Sequence, residues 1–470
     1  MKTSTTALWA KRITYSILVL SLLSCNFVTQ MLNPATATPP AVATTPASTS
    51  IEPTAGDSLV PAYVPPECVS IAPATVSPQQ AEPTPTLQSV TEISKDEQLK
   101  IFDRMTSIID DVYVYPDFNG KDWKEIKARY RGEIEAGLPT EQFYVEVNKM
   151  IVELGDEHSF YLSPNEAEAS EAELRGDNNY VGVGIYSLPD VDRQTFTVIS
   201  TFPDSPAQHA GIQPHDKIIA VDGVPLEVNE FTASRVRGPQ CSVVKLTVQT
   251  LNEAPRDLMI YRAPIKGNLN IVQRLVPTSD GSKIGYIFIP SFYDETLPPQ
   301  IEQALKDFGD LDGLIIDLRL NGGGSSSVVD PIFEWFTDGH LGKFVSRDSS
   351  RPLDVDGTSI NNSQTVPLVI IVSKDTVSYG EIFTAALKDQ GRAKVVGETS
   401  LGNVEVLHGY DFDDASQLWI ASETFYSATS NTNFEETGIV PDVQAYAPWD
   451  TITFETDPSV KAAVELLGHK

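Results

Sequence analysis

Four apolar runs in the C-terminal half of the chain, Ile284–Ile289, Leu314–Asp317, Leu368–Val372 and Lys394–Val396, constrain the fold most. They are short, rich in Ile, Val and Leu, and read as buried strands. A helical stretch at Glu381–Lys388 separates two of them, and buried strands alternating with helices imply an α/β core. The pattern upstream is different. Between about residues 178 and 262 the chain carries short strands: glycines alternate through Val181-Gly182-Val183-Gly184-Ile185, Phe196–Ser200 is β-prone, and Lys245–Thr250 alternates like a half-buried strand. Before that lies a helical unit. Ser94 and Glu97 form a capping-box pattern, and Ile101, Phe102, Met105, Ile108, Ile109 and Val112 follow along one face. Further helices are expected around Trp123–Tyr130 and Phe143–Leu154, and the unit closes on Gly155-Asp156-Glu157-His158.

The first 25 residues have a basic start (Lys2, Lys11, Arg12) and an apolar run, Ile13–Leu23, too short to span a bilayer. They end at Leu22-Leu23-Ser24-Cys25, which resembles a bacterial lipobox in which Cys25 becomes the lipidated first residue. Export with a lipid anchor facing the extracytoplasmic side is the expectation. Residues 26–92 are dominated by Pro, Thr, Ala and Ser, too poor in apolar surface to offset the entropy of ordering, and read as a disordered stalk. Cys68 lies in it, and spacing alone does not decide whether it pairs with Cys241. The three cysteines and six histidines form no metal-ligand pattern, so neither metal nor cofactor is expected. A formal net charge of −30 argues against nucleic acid and against a flat rest on anionic lipid, leaving Cys25 as the membrane link.

Three stretches carry chemistry. Ser205-Pro206-Ala207-Gln208-His209-Ala210-Gly211-Ile212, followed by Asp216–Gly223, looks like the second half of a PDZ domain, with Val181, Gly182, Val183, Gly184 and Ile185 as its carboxylate-binding loop. Such domains hold a chain end by strand addition and by backbone N–H groups on its carboxylate. The second stretch, Asp317-Leu318-Arg319-Leu320-Asn321-Gly322-Gly323-Gly324, is a glycine-rich turn directly after a strand, able to present N–H groups to an oxyanion. In the third, an apolar strand leads to Ser378 and then to a helix carrying Glu381. Helix-start N–H groups beside a serine favour negative charge. Taken alone, Ser378-x-x-Glu381 reads first as a capping box.

In this order, and together with Gly397-Glu398-Thr399-Ser400-Leu401-Gly402-Asn403, Gly285-Tyr286-Ile287, Ser291-Phe292 and Gly438–Asp442, the stretches resemble the S41 family of C-terminal processing peptidases from Ser94 to Tyr446. The resemblance implies a crotonase/ClpP-like α/β catalytic core over 264–470, an N-terminal helical unit over 93–170 and an inserted PDZ-like β domain over 175–263. It makes Ser378 the nucleophile, and it assigns the oxyanion hole to the N–H groups of Tyr379 and of Gly323 or Gly324. The implied partners are protein or peptide substrates with free C-termini.

Two positions depart from the family pattern. Asn403 stands where the family places its lysine base, and Leu407 where a glutamine is expected. An amide does not take a proton near neutral pH. One branch of the family, resembling the tricorn core, uses a histidine oriented by a carboxylate. Here those would be His158 and Glu435, completing a Ser–His–Glu triad. Otherwise hydrolysis has been lost and a peptide-binding scaffold remains. His408 is a weaker substitute base, and His209, His215, His340 and His469 read as surface residues.

Overall fold

A computed structural model describes residues 61–69, 92–156, 158–175, 180–190, 194–226, 235–265 and 270–469; Cys25 and its signal segment lie outside them. The apolar runs form one six-stranded sheet. Its order is Val272–Val276, Ile284–Phe288, Gly313–Asp317, Leu368–Val372, Ala393–Gly397 and Val443–Gln444, parallel throughout except for the first strand. Period-two alternation sends Ile287, Ile316 and Ile370 to one face, under helices Leu297–Phe308, Ser326–Phe336 and Tyr379–Asp389. It sends Tyr286, Ile315 and Val369 to the other, against Val460, Ala463 and Val464 of helix Pro458–Leu466. The α/β expectation holds.

The helical unit is less separate than its sequence suggests. Helices Lys95–Val112, Trp123–Ala136 and Thr140–Val152 share a core with Phe412, Leu418, Ile420 and Ala421 from far downstream. Those residues belong to or adjoin a second sheet, in which Gln417–Ser427 pairs with Phe160–Leu162, Gly339–Val345 and Glu405–Asp411. The Ser94 and Glu97 capping box is present in both halves.

The inserted β domain is a sheet ordered Ile185–Asp190, Thr195–Thr201, Lys217–Val221, Val243–Gln249 and Arg256–Tyr261, which leaves Ile185–Asp190 on an edge. It packs on the α/β core through a residue expected at the surface. The His215 ring stacks on Trp449 at 4.1 Å, its Nδ1 donates to the Trp449 carbonyl (2.7 Å), and the Trp449 indole N–H donates to the Val198 carbonyl (3.3 Å). Burial holds this imidazole below its ordinary pKa, so a neutral ring stacks and donates here. His209 and His340 are exposed, as expected.

Part of the proline-rich segment is tied down. Cys68 and Cys241, both buried, form a disulfide across 173 residues of sequence, and the Tyr63 ring stacks on His209 at 3.9 Å. Closing so long a loop restricts the unfolded chain, so Cys68→Ser is expected to cost about 2–5 kcal/mol of stability. In denaturant titrations the wild type should fall to the level of this variant when reductant is added, and the variant should ignore the reductant.

Candidate active site

Sheet order brings the chemical stretches together. Gly313–Asp317, Leu368–Val372 and Ala393–Gly397 are consecutive parallel neighbours. The glycine turn, Ser378 and the segment ending at Asn403 therefore emerge side by side from their carboxyl ends, where open α/β sheets build their sites. Side chains stitch the loops: Ser373 Oγ donates to the Arg319 carbonyl (2.5 Å) and Thr376 Oγ1 to that of Leu318 (2.8 Å). The Val377 N–H donates to the Asn321 carbonyl (3.0 Å).

Ser378 is not a helix cap by its side chain, which makes no capping hydrogen bond; its backbone has φ 55° and ψ −125°. This conformation is strained for a residue with a Cβ, at a cost on the order of 1–3 kcal/mol, and persists only where the surroundings hold it. They do so here. The Ser378 N–H donates to the Asn403 carbonyl (2.9 Å), and its own carbonyl accepts the N–H groups of Glu381 (2.8 Å) and Ile382 (2.9 Å). The turn sets the side chain at the start of helix Tyr379–Asp389, beside the Tyr379 N–H, for which no backbone acceptor lies among the described residues.

The glycine turn lies against this serine. A Cβ on Gly323, at φ +93°, would come within 2.6 Å of Ser378 Cβ. The Gly323 N–H, one of the expected oxyanion donors, donates to Asn321 Oδ1 (2.9 Å) in this structure. Of the three expected donors, the N–H groups of Gly324 and Tyr379 have no such internal partner among the described residues.

The Glu381 side chain reaches into the next loop. Wholly buried, its carboxylate accepts Ser400 Oγ (2.6 Å) and the N–H groups of Gly402 (2.7 Å) and Asn403 (2.8 Å). Burial outweighs those bonds and pushes its pKa up to about 7. Asn403 is buried, and its Oδ1 has no hydrogen-bond partner among the described residues.

Two residues beyond Asn403 the site holds a group absent from the sequence expectation. Glu405 Oε2 lies 3.8 Å from His158 Nδ1, and Tyr115 Oη donates to Glu405 Oε1 (2.7 Å). Glu435, the carboxylate expected beside His158, instead accepts the Val404 N–H (2.8 Å) and lies next to Glu405. Burial, then the Glu405 charge, raises Glu435 far above the carboxylate range. Burial also works to raise Glu405, but interactions with His158, Glu435 and Tyr115 hold it below that range. Glu405 opens strand Glu405–Asp411, and only the pairing of that strand reveals which way it faces. His408 is spent elsewhere, 3.3 Å from Glu423 and half exposed.

In the β domain, the carbonyl of Val183 accepts the Ala207 N–H (2.9 Å), and that of Gly184 accepts the Phe202 N–H (3.0 Å) and Ser205 Oγ (3.1 Å). A trans peptide points its N–H opposite its C=O, so the N–H groups of Gly184 and Ile185 turn away from this packing. Gly184 has φ +80°, and a Cβ there would meet that of Ser205 at 2.3 Å. The edge strand Ile185–Asp190 follows directly.

Comparison with known proteins agrees with this layout. Peptidase family S41 matches residues 283–445, a tricorn protease C1 domain residues 94–143 and a PDZ domain residues 172–249. A carboxyl-terminal-processing protease of Synechocystis sp. is 26% identical over 382 residues, covering 79% of this chain and 87% of its own. The chloroplastic carboxyl-terminal-processing peptidase 2 of Arabidopsis thaliana is 29% identical, covering 71% and 66%. A solved photosystem II D1 C-terminal processing protease has the same fold, with a TM-score of 0.53 at 24% identity over 80% of this chain and 98% of that one.

Glu381 gives the site a pH signature. Its folded-state pKa of about 7 lies above the ordinary 4.5, so the folded protein binds this proton more tightly. The resulting stability is complete below about pH 4.5 and is lost as the pH rises through about 7. Glu381→Gln should remove that part of the slope in denaturation measured from pH 4 to 8. It should also cost about 1–3 kcal/mol, because an amide N–H2 now faces a buried N–H donor. An unchanged slope would mean that Glu381 is ionised throughout.

Proposed function

We propose that this chain, whose residues 283–445 match peptidase family S41 and residues 172–249 a PDZ domain, is an exported serine endopeptidase that captures protein C-termini and cleaves near them. The observation that carries the reading is the backbone at Ser378: a strained serine at a helix start, pressed against a glycine turn.

In the proposed reaction, Ser378 Oγ attacks the scissile carbonyl carbon and passes its proton to His158. The oxyanion is met by the Tyr379 and Gly324 N–H groups. Collapse of the tetrahedral intermediate returns the proton to the leaving amine and leaves an acyl-enzyme, which water then hydrolyses by the same route. His158 is the base of choice because Asn403 cannot serve. Its Nδ1 faces Glu405, which leaves Nε2 to accept the proton. The segment Asn403–Glu405 ties the two together, since the Asn403 carbonyl holds the Ser378 N–H.

Substrate ends would bind by adding a strand to Ile185–Asp190, their carboxylate on the Gly184 and Ile185 N–H groups. The disulfide supports an oxidising, extracytoplasmic location, and Cys25 would provide the lipid anchor. A second reading rests on Asn403: with no lysine at that point, the fold would hold chain ends without cutting them.

A fluorophosphonate probe separates the two. Labelling of the wild type that is lost in both Ser378→Ala and His158→Ala is expected for the peptidase. No wild-type labelling, with signal appearing in Asn403→Lys, would establish the silent scaffold.

A further inference from the structure

We propose that Glu405, rather than Glu435, is the carboxylate that positions His158. The inference deepens the peptidase reading and rests on it for its catalytic meaning. It starts from two atoms that the fold leaves unpaired. His158 Nδ1 and Glu405 Oε2 are both buried, neither has a hydrogen-bond partner among the described residues, and they face each other at 3.8 Å. Buried polar atoms rarely stay unpaired, and each of these is the natural complement of the other. A shift of under 1 Å would close the bond, of the size by which catalytic hydrogen bonds tighten on substrate binding.

The surroundings hold both groups in place. The Asp156 carboxylate accepts the N–H groups of His158 (2.9 Å) and Ser159 (2.8 Å), so the imidazole starts from a fixed backbone. Ser159 Oγ donates to the other Asp156 oxygen (2.5 Å) and accepts the Ala421 N–H (3.0 Å), which pins that turn to the second sheet. On the opposite side, Tyr115 fixes Glu405 Oε1. The titratable groups around Glu405 are thus His158, Tyr115, Tyr113, Asp156 and Glu435, with Glu381 beyond Glu435.

Charge then decides the roles of the two glutamates. Adjacent buried carboxyls do not both ionise. The one beside the imidazole gains from the imidazolium that forms when Ser378 is deprotonated. The other, whose Oε2 accepts the Val404 N–H, is pushed toward its protonated form by burial and by the Glu405 charge. A protonated glutamate and a glutamine present similar donors, so Glu435→Gln should be nearly silent where Glu405→Gln is not.

The test follows His158 itself, by NMR titration of its imidazole nitrogens in the full chain, assigned through loss of the signal in His158→Ala. Glu405→Gln is expected to lower the titration midpoint by about 1 pH unit or more, the usual effect of removing a carboxylate at this range. Glu435→Gln should leave it within a few tenths of a unit. Should Glu405→Gln fail to fold, Glu405→Asp, which withdraws the carboxylate by one methylene, should move the midpoint in the same direction. A larger shift from Glu435→Gln than from either Glu405 variant would overturn the proposal. In peptide turnover, Glu405→Gln should lower kcat by roughly 100-fold or more with KM little changed, and Glu435→Gln should keep most of kcat. Absence of Ser378-dependent turnover in the wild type would sink the peptidase reading, while the titration would still decide which glutamate faces His158.

Discussion

One buried carboxylate holds the site in register. Glu381 sits on the first turn of the Ser378 helix, yet its bonds run to Ser400, Gly402 and Asn403 on the loop after the neighbouring strand. Three donors converge on one side chain shut off from water, so the loop cannot shift without stranding buried N–H groups. The loop in turn supports the serine, because the Asn403 carbonyl takes the Ser378 N–H. It also anchors the chain near Glu435, through Ser400 Oγ accepting the Ile439 N–H (2.7 Å) and the Gly402 carbonyl accepting that of Glu436 (2.8 Å). The strain at Ser378 is thus held by a network whose centre lies one turn along the same helix.

A second buried charge network braces the glycine turn from the other side. Arg319 pairs with Asp317 (2.5 Å) and Asp457 (2.6 Å), all three buried, and Tyr286 donates to Asp317 (2.7 Å). Breaking such a network by removing one partner is costly, since it leaves an uncompensated charge. The Arg319 guanidinium also lies over the Trp449 ring at 4.9 Å, and the same indole stacks on His215 of the β domain. A continuous line of packed groups therefore runs from the PDZ domain to the turn beside Ser378. Each contact is short, and none is covalent.

The fold was largely legible because its signals are local. Apolar runs marked the core strands, and Ser94 with Glu97 marked the first helix. The glycine pattern around Gly184 is read as a carboxylate-binding loop, and the structure adds that this backbone packs closely against Ser205. What could not be read was adjacency. Ser378-x-x-Glu381 has the spacing of a capping box, and only the order of parallel strands shows that Glu381 has a better use. The family resemblance points to Glu435 as the partner of His158, whereas Glu405, opposite Thr424 in its strand pair, is the carboxylate 3.8 Å from that imidazole. His215 looked like a surface residue because its partner, Trp449, comes 234 residues later.

The same contacts make the asparagine at 403 physically coherent. Glu381, Glu405 and Glu435 interact in one buried region, and among the described residues His158 is the basic group facing them. A lysine at 403, as the family resemblance would have it, would bring a cation into this neighbourhood and favour ionised carboxyls. Without it, burial can be relieved only by keeping protons: Glu435 is driven far up, and Glu381 reaches about 7. A site organised around a neutral residue at 403 is therefore an acid-rich pocket with one histidine. In such a setting the imidazolium that the proposed serine attack would form supplies the missing positive charge, stabilised most by whichever carboxylate stays ionised beside it.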